Sequence, residues 1–352
     1  VPDGFLRSLL VEGVIAGVGA VVVFLPQILI LFFFILLLED VGYLPRAAFL
    51  LDRIMGSVGL SGRAFLPLLS SFACAIPGVM AARTIQNPRD RLVTIMIAPL
   101  MTCSARLPVY ALLIAAFIPD QTVAGILNLQ GLVLFILYMA GILSAMGVAW
   151  FMKRRSTYKQ HALMLELPAY HWPQLSALAS GLWERTKIFL MRVGTLILTM
   201  MVLLWLLSSF PGAPEGATEP PIYYSVAGMI GRALEVILAP IGFNWQIAIA
   251  LVPGMAAREV AVGALGTVYA LSGGDEVGDT LAPLIAQSWS LATGLALLAW
   301  YVYAPHCLPT LATVARETGS RKYAWIMAGY MFGLAYVAAF IVYRVTLAIT
   351  GA

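Results

Sequence analysis

The chain has 352 residues, of which 61% are apolar (A, V, I, L, M, F, W, Y or C) and only 11% are charged. An average soluble domain has roughly 25% charged residues. So few charges cannot cover a soluble protein of this size, which indicates that lipid surrounds much of the chain. The net charge of +4 and the three cysteines argue against a nucleic-acid partner and against a disulfide framework.

Apolar runs long enough to cross a bilayer as a helix, about 20 residues, occur along the whole chain. The clear spans are 9–38, 126–152, 188–210 and 323–348. Pro26 is the natural kink point of the first. Runs with a proline or a charge in the middle are 64–82, 92–118, 246–270 and 288–312. The sequence therefore predicts an all-α fold, a polytopic transmembrane helix bundle with broken helices; residues 44–60 and 222–243 fit interfacial or short helices.

Lysine and arginine collect in some of the loops between these runs and are absent from others. The basic segments are 83–91, 153–159, 185–187 and 316–322, and the loops without Lys or Arg are 119–125, 211–221 and 272–280. Because cytoplasmic loops carry the excess of basic residues, we expect the first group inside and the second outside. We expect three regions: a first membrane half (1–152), a cytoplasmic amphipathic connection (153–187) and a second membrane half (188–352).

An internal duplication links the two halves. The stretch PGVMAARTI at 77–85 recurs as PGMAAREV at 253–260, and the Ala-Pro, Cys and Leu-Pro elements of 98–108 recur in compact form at 304–309. Paired, proline-broken apolar segments in two halves are typical of the central site of a transporter. The prolines free backbone groups that a membrane tolerates only where protein or water satisfies them. These prolines are Pro77, Pro99, Pro253 and Pro305.

All three cysteines lie on the interrupted runs, and His306 adjoins Cys307. Thiolate, imidazole and thioether groups suit borderline and soft metal ions. The candidate metal ligands are Cys74, Cys103, Cys307, His306, Met80, Met101 and Glu259. The competing interpretation is that the cysteines are small buried hydrophobes and the methionines fill the core.

Charged residues within or at the end of apolar runs are further candidates, and four of them are Arg106, Arg258, Glu39 and Asp40. Arg106 and Arg258 lie inside such runs and must face the protein interior or water, because a charge at membrane depth costs about 2.5–3.5 kcal/mol. A packing role, with Arg258 beside Glu259, competes with a role in the transport path. Glu39 and Asp40 end the first run, where a solvated helix end is the simpler interpretation.

Motifs of enzymes are missing from the sequence. It contains neither the G-x-x-x-x-G-K-[ST] loop that holds nucleotide phosphates nor the G-x-S-x-G turn of serine hydrolases. We therefore expect no enzyme activity within this chain.

Several long segments resemble one known family. The segments LSSFACAIPGVMAARTI, PRDRLVTIMIAPLMTCSARLPVYAL, AAREVAVGALGTVY and CLPTLATVARETGSRKYAW are similar to the membrane domain of the bacterial ferrous-iron transporter B family (FeoB). The resemblance implies two gate-type repeats of opposite orientation. It also implies Fe²⁺ transport across the inner membrane, with Cys74, Cys103 and Cys307 in the metal path.

The same resemblance implies partners. Family members carry a GTPase domain, so GTP and Mg²⁺ would act through such a domain, in the same polypeptide or as a separate chain. Further expected partners are the lipid bilayer, small accessory proteins and a second copy of the chain.

Two alternatives to Fe²⁺ transport are a nucleoside or other solute carrier of the gate-repeat type and a membrane scaffold without transport. The scaffold predicts a dry, sealed centre.

Overall fold

The computed structural model describes residues 5–57, 59–123, 127–154, 170, 172–212, 221–256, 261–262, 265 and 277–351. These residues are almost entirely helical. Within them, one short antiparallel pair of strands, β1 (Thr122–Val123) and β2 (Leu127–Asn128), closes a loop between two helices. The all-helical prediction is confirmed.

The helices have these bounds, numbered in chain order. They are α1 Phe5–Ser8, α2 Ala16–Asp40, α3 Tyr43–Ser57, α4 Phe65–Ala73, α5 Ala75–Ala81, α6 Pro88–Ile97, α7 Leu107–Phe117, α8 Leu129–Arg154, α9 Leu175–Phe189, α10 Thr195–Ser209, α11 Pro221–Tyr224, α12 Val226–Leu238, α13 Trp245–Ala256, α14 Val277–Ser288, α15 Leu291–Tyr303, α16 Leu308–Thr318 and α17 Arg321–Thr350. Short 3₁₀ turns are Gly62–Ala64, Ala82–Thr84, Ala98–Leu100, Ser104–Arg106 and Ala239–Ile241, and π-helical turns are Leu9–Ile15 and Leu190–Gly194.

Three stretches of the described residues are long and apolar enough to cross a membrane. They are Pro88–Phe117, Leu129–Arg154 and Arg321–Thr350. Two sharply bent pairs of helices raise the number to as many as five: Val226–Ile241 with Trp245–Met255 turns by 112°, and Leu281–Ser288 with Leu291–Tyr303 by 118°. Bent and broken apolar helices were expected from the interrupted runs, and the structure contains them.

Two prolines lie inside continuous helices: Pro253, where the sequence predicted a break, and Pro26, where the expected kink remains a prediction. Helix α2 continues through Pro26, and the irregular turn of this run lies earlier, at Leu9–Ile15. Helix α13 likewise continues through Pro253 to Ala256. A proline removes one hydrogen bond and crowds the preceding turn, but neighbouring helices can support the freed groups in a membrane protein.

The chain forms two compact units, each assembled from segments of both sequence halves. The first consists of residues 1–104, 142–201 and 312–324, and the second of 105–141, 202–311 and 325–352. In the second unit, the backbones of α12 and α13, which form the first bent pair, approach closely. A Cβ placed on Gly231 of α12 would lie 2.9 Å from the Ile249 backbone of α13. The prediction of membrane halves and a connection at 153–187 concerns sequence segments and remains a prediction.

Ion pairs in the first unit join three of the basic segments. Arg83 donates two hydrogen bonds of 2.6 Å to the Glu317 carboxylate, and Arg91 donates to the Glu317 backbone carbonyl at 3.1 Å. Lys153, at the end of α8, pairs with Asp90 at the start of α6. Segments 83–91 and 316–322 and the start of 153–159 therefore meet on one face, as loops on the same side of a membrane would.

Candidate functional site

Cys74 is the residue at which the first interrupted run breaks. It has extended backbone angles (φ −153°, ψ 131°) between α4 and α5. Its amide donates to the Ser70 carbonyl at 3.1 Å, and its carbonyl accepts from the Gly78 amide at 3.4 Å. The break therefore falls three residues before Pro77, which sits in the first turn of α5, where a missing N–H costs nothing.

The chain reverses direction at this break. Residues 67 and 78 would be about 16 Å apart in one continuous helix, yet a Cβ placed on Gly78 would lie 2.6 Å from the Pro67 carbonyl oxygen and in contact with the Ser71 hydroxyl. Helices α4 and α5 thus form a tight helical hairpin with Cys74 at its tip. Glycine is required at 78 because any side chain would meet the α4 backbone.

A serine from the second interrupted run contacts this tip. The Ser104 hydroxyl donates to the Ala73 carbonyl at 2.9 Å, and the 3₁₀ turn Ala98–Leu100 contacts both α4 and α5. Ala73 is the last residue of α4, where backbone carbonyls have no N–H donor within the helix. The hydrogen bond therefore joins two breaks, each with a cysteine next to the bonded residue: Cys74 beside Ala73, and Cys103 beside Ser104.

The second break separates α6 from α7. Helix α6 passes into the turn Ala98–Leu100, and Met101 and Cys103 follow in non-helical backbone before α7 begins at Leu107. Met101 is buried, whereas Cys103 and Cys74 are half-buried. Met80 and Cys74 pack against the apolar pair Phe32 and Ile76. The structure thus brings Cys74 and Met80 into one apolar cluster of the first unit.

The third cysteine marks another break, in the second unit. Between α15 and α16, the His306 and Cys307 amides donate to the carbonyls two residues earlier, each at 2.9 Å. The Thr310 hydroxyl donates to Cys307 Sγ at 3.0 Å. His306 is only 1% exposed, and its ring stacks on Tyr301 at a centroid distance of 4.5 Å. A buried, stacked imidazole here packs as a core residue.

The segments around Cys103 and Cys307, which correspond in the two copies of the repeat, have the same order of structural elements. In the first copy, α6 gives way to Ala98-Pro99, then Cys103, and the 11-residue helix α7 opens with Leu107-Pro108. In the second copy, α15 ends before Ala304-Pro305, then Cys307, and the 11-residue helix α16 opens with Leu308-Pro309. The same order of helix, break, cysteine and helix supports two related halves.

The charged candidates occupy different surroundings. Arg106 is fully buried, as its place in an apolar run requires. Glu39 is exposed and pairs with Arg185 at 3.4 Å, and Asp40 accepts from the Gln174 amide at 2.7 Å, just before α9 begins. Both acidic residues therefore attach α9 to the end of α2. Arg258 and Glu259 lie outside the described residues.

The described residues contain no group of three or more His, Cys, Asp or Glu side chains close enough to hold a metal ion. Cys74, Cys103, Met80 and Met101 belong to the first unit, and His306 and Cys307 to the second. The metal-ligand assignment therefore remains a prediction.

Two polar side chains at the breaks, Ser104 and Thr310, were not predicted from the sequence. A signal for Ser104 was available in the sequence. In a continuing helix, the Ala73 carbonyl would accept from the amide of residue 77, and Pro77 has none. The donor must then be another protein group or water, and the identity of a protein donor depends on the tertiary fold.

Comparison with known families supports the duplication. The gate-domain family model, described as "Nucleoside recognition", matches residues 21–117 and 190–321, which is well over half of the chain. A second family model, described as "Ferrous iron transport protein B C terminus", matches residues 134–185. The two gate matches contain the two copies of the repeat.

Curated relatives are similar over nearly the whole chain. A protein of Leptospira interrogans named "Fe(2+) transporter FeoB" is 41% identical over 97% of this chain and 51% of its own length. The protein of that name from Staphylococcus aureus is 40% identical over 97% of this chain and 49% of its own. A Porphyromonas gingivalis protein, "Fe(2+) transport protein A/Fe(2+) transporter FeoB fusion protein", is 37% identical over 98% of this chain and 45% of its own.

The chain thus spans about half the length of the curated relatives that it matches. No solved structure matches it. The apolar helices and these relatives identify a multi-pass membrane protein. With two gate matches, a ferrous-iron transporter match between them and 40% identity along nearly all of its length, the chain belongs to the FeoB family and corresponds to its membrane domain.

Proposed function

We propose that this chain forms the membrane pathway of an Fe²⁺ transporter and that Cys74, Cys103 and Cys307 contact the passing ion. The observation that carries the proposal is that each cysteine lies at a helix break and is half-buried. The names of the relatives, which are Fe²⁺ transporters, supply the ion.

The chemistry of a helix break suits a passing cation. Irregular backbone at membrane depth is tolerated where it lines a cavity or is buried in protein, and it presents carbonyl oxygens that a regular helix uses internally. A thiolate adds a soft ligand that favours Fe²⁺ over Mg²⁺ or Ca²⁺, which prefer oxygen. A transported ion must also leave, so a few weak contacts serve transport better than a closed site.

Control of transport would come from another domain or chain. The sequence has no phosphate-binding loop, and we propose that a GTPase domain, in the same polypeptide or separate, supplies nucleotide control. The fusion in Porphyromonas gingivalis favours a small Fe²⁺ transport protein A as an accessory partner. We place the protein in the bacterial inner membrane and assign it no catalytic activity of its own.

Substitution of each cysteine by serine tests the role of the thiols. Serine keeps a small polar side chain but replaces a soft ligand with a hard one. We expect Cys74→Ser and Cys103→Ser to reduce Fe²⁺ uptake by cells, with the amount of protein in the membrane measured as the control. Normal uptake in both variants would remove the thiol role.

A second candidate function follows from the description of the gate family model, "Nucleoside recognition". A nucleoside carrier would bind a radiolabelled nucleoside with an affinity that is indifferent to Fe²⁺. Competition between nucleoside and Fe²⁺, or no nucleoside binding at all, would favour the iron pathway.

A further inference from the structure

We propose that Ser104 is a positioning residue that holds the Cys74 break against the Cys103 break. The proposal rests on the proposed Fe²⁺ pathway and assigns a task to a side chain that does not itself need to touch the ion. Its starting point is the hydrogen bond of 2.9 Å from the Ser104 hydroxyl to the Ala73 carbonyl.

The sequence leaves the Ala73 carbonyl in need of a donor. Helix α4 ends at Ala73, and the residue that would donate to it in a continuing helix is Pro77, which has no amide hydrogen. Within a membrane protein, such a carbonyl must be satisfied by protein or by water in a cavity. The Ser104 hydroxyl fills the place of the missing amide.

Other serine hydroxyls at the hairpin bond only within their own helix. Ser70 donates to the Leu66 carbonyl at 2.9 Å, and Ser71 donates to the Pro67 carbonyl at 2.7 Å. Ser104, by contrast, donates across 31 residues of sequence to a different interrupted run. The hydrogen bond that it makes is therefore a direct tie between the two runs, and each bonded residue adjoins a cysteine.

This tie fixes where the two thiols lie relative to each other. Packing of the turn Ala98–Leu100 against α4 and α5 brings the runs together, but apolar contacts permit sliding, whereas a hydrogen bond at the break sets the register. Groups that orient metal ligands from behind typically change metal affinity or activity by about 10- to 100-fold when removed. Ser104→Ala should weaken Fe²⁺ binding by a factor of that size.

The test compares Ser104→Ala with two matched variants in membranes of cells expressing the protein. Ser104→Thr keeps the hydroxyl, and Ser70→Ala removes a buried hydroxyl of the same hairpin that bonds only locally. One measurement is the yield of the Cys74–Cys103 cross-link formed by a short bifunctional thiosulfonate, read from peptide masses. The other is the Fe²⁺ concentration that half-protects Cys103 from N-ethylmaleimide.

We expect Ser104→Ala to lose the cross-link and to need roughly 10- to 100-fold more Fe²⁺ for protection, while Ser104→Thr and Ser70→Ala behave like the wild type. An unchanged cross-link yield in Ser104→Ala would overturn the positioning role. Absence of Fe²⁺ protection in the wild type would overturn the proposed pathway and, with it, the link to iron. Even then, a cross-link lost only in Ser104→Ala would establish that this hydrogen bond joins the two breaks.

Discussion

At the scale of single residues, the Glu317 carboxylate is a buried charge with a well-exposed partner. Its side chain is 4% exposed, whereas that of its partner Arg83 is 59% exposed. Hydrogen bonding to Glu317, and then the attraction of its charge, raise the pKa of Arg83 above the ordinary arginine value, and burial opposes this weakly. A group with a raised pKa contributes its stability at every pH below its ordinary value, so the pair persists through the neutral range.

This asymmetry predicts unequal effects of removing the two partners. Arg83→Met leaves a buried carboxylate short of a donor and should lower the free energy of unfolding by about 1–3 kcal/mol. Glu317→Gln removes the charge that pairs with Arg83 and, at 3.4 Å, with Arg91, but both arginine side chains reach water, 59% and 33% exposed, so the loss should be about 1 kcal/mol or less. Thermal unfolding of the purified protein measures both, with Lys322→Met at an exposed position as the control.

The loss in Arg83→Met should also be the same between about pH 6 and 9, because Arg83 does not titrate there. A larger loss in Glu317→Gln than in Arg83→Met would contradict the account of this ion pair.

At the scale of elements, the helical hairpin α4–α5 depends on close contact at Gly78. A methyl group there would meet the Pro67 carbonyl at 2.6 Å and the Ser71 hydroxyl, and neither the backbone nor a hydroxyl bonded within its helix can move away easily. We predict that Gly78→Ala lowers the free energy of unfolding by about 1–3 kcal/mol, the usual cost of overpacking.

The matched control is Gly147→Ala in α8. A Cβ at Gly147 meets nothing within 4 Å, and alanine is the better helix former by about 1 kcal/mol. This variant should be neutral or stabilised in the same thermal unfolding measurement. Equal stability of the two variants would show that α4 and α5 do not pack as described.

The hairpin also shows that the repeat alone does not predict where each helix breaks. The proline and glycine of the repeat occur in both copies, yet the first copy breaks at Cys74 and the second continues through Pro253. The position that matches Cys74 in the second copy is Ala250, a far better helix former. Ser70 and Ser71 in the first copy bond back to carbonyls of their own helix, which favours bending.

Composition and long apolar runs were enough to predict the helical membrane fold, and the repeat was enough to predict the paired breaks at Cys103 and Cys307. The exact site of each break depended on local competition between such side chains. Pro77 shows from the sequence that the Ala73 carbonyl lacks an amide donor, but not that Ser104 supplies one, because only the packed fold determines their proximity.

At the scale of the whole molecule, the basic segments predict the orientation in the membrane. The pairs that join Arg83 to Glu317 and Lys153 to Asp90 place these segments on one face, in agreement with a common cytoplasmic side. The loop at 119–125 has no Lys or Arg and should lie on the opposite side of the membrane.

Labelling of single cysteines tests this orientation. Gln86 and Gln121 are both exposed, the first between α5 and α6 and the second between α7 and α8. In a variant without the native thiols, a membrane-impermeant maleimide added to intact spheroplasts should label Gln121→Cys and leave Gln86→Cys unlabelled until the membrane is opened. The reverse pattern would invert the predicted topology.

The central claim is that Fe²⁺ meets cysteine sulfur on its way through the broken helices. Iron K-edge X-ray absorption of the protein loaded with Fe²⁺ without oxygen tests this claim most directly. The account predicts sulfur among the atoms bound to iron, and its loss when Cys74, Cys103 and Cys307 are replaced by serine. A spectrum with only oxygen and nitrogen neighbours in the unaltered protein would contradict it.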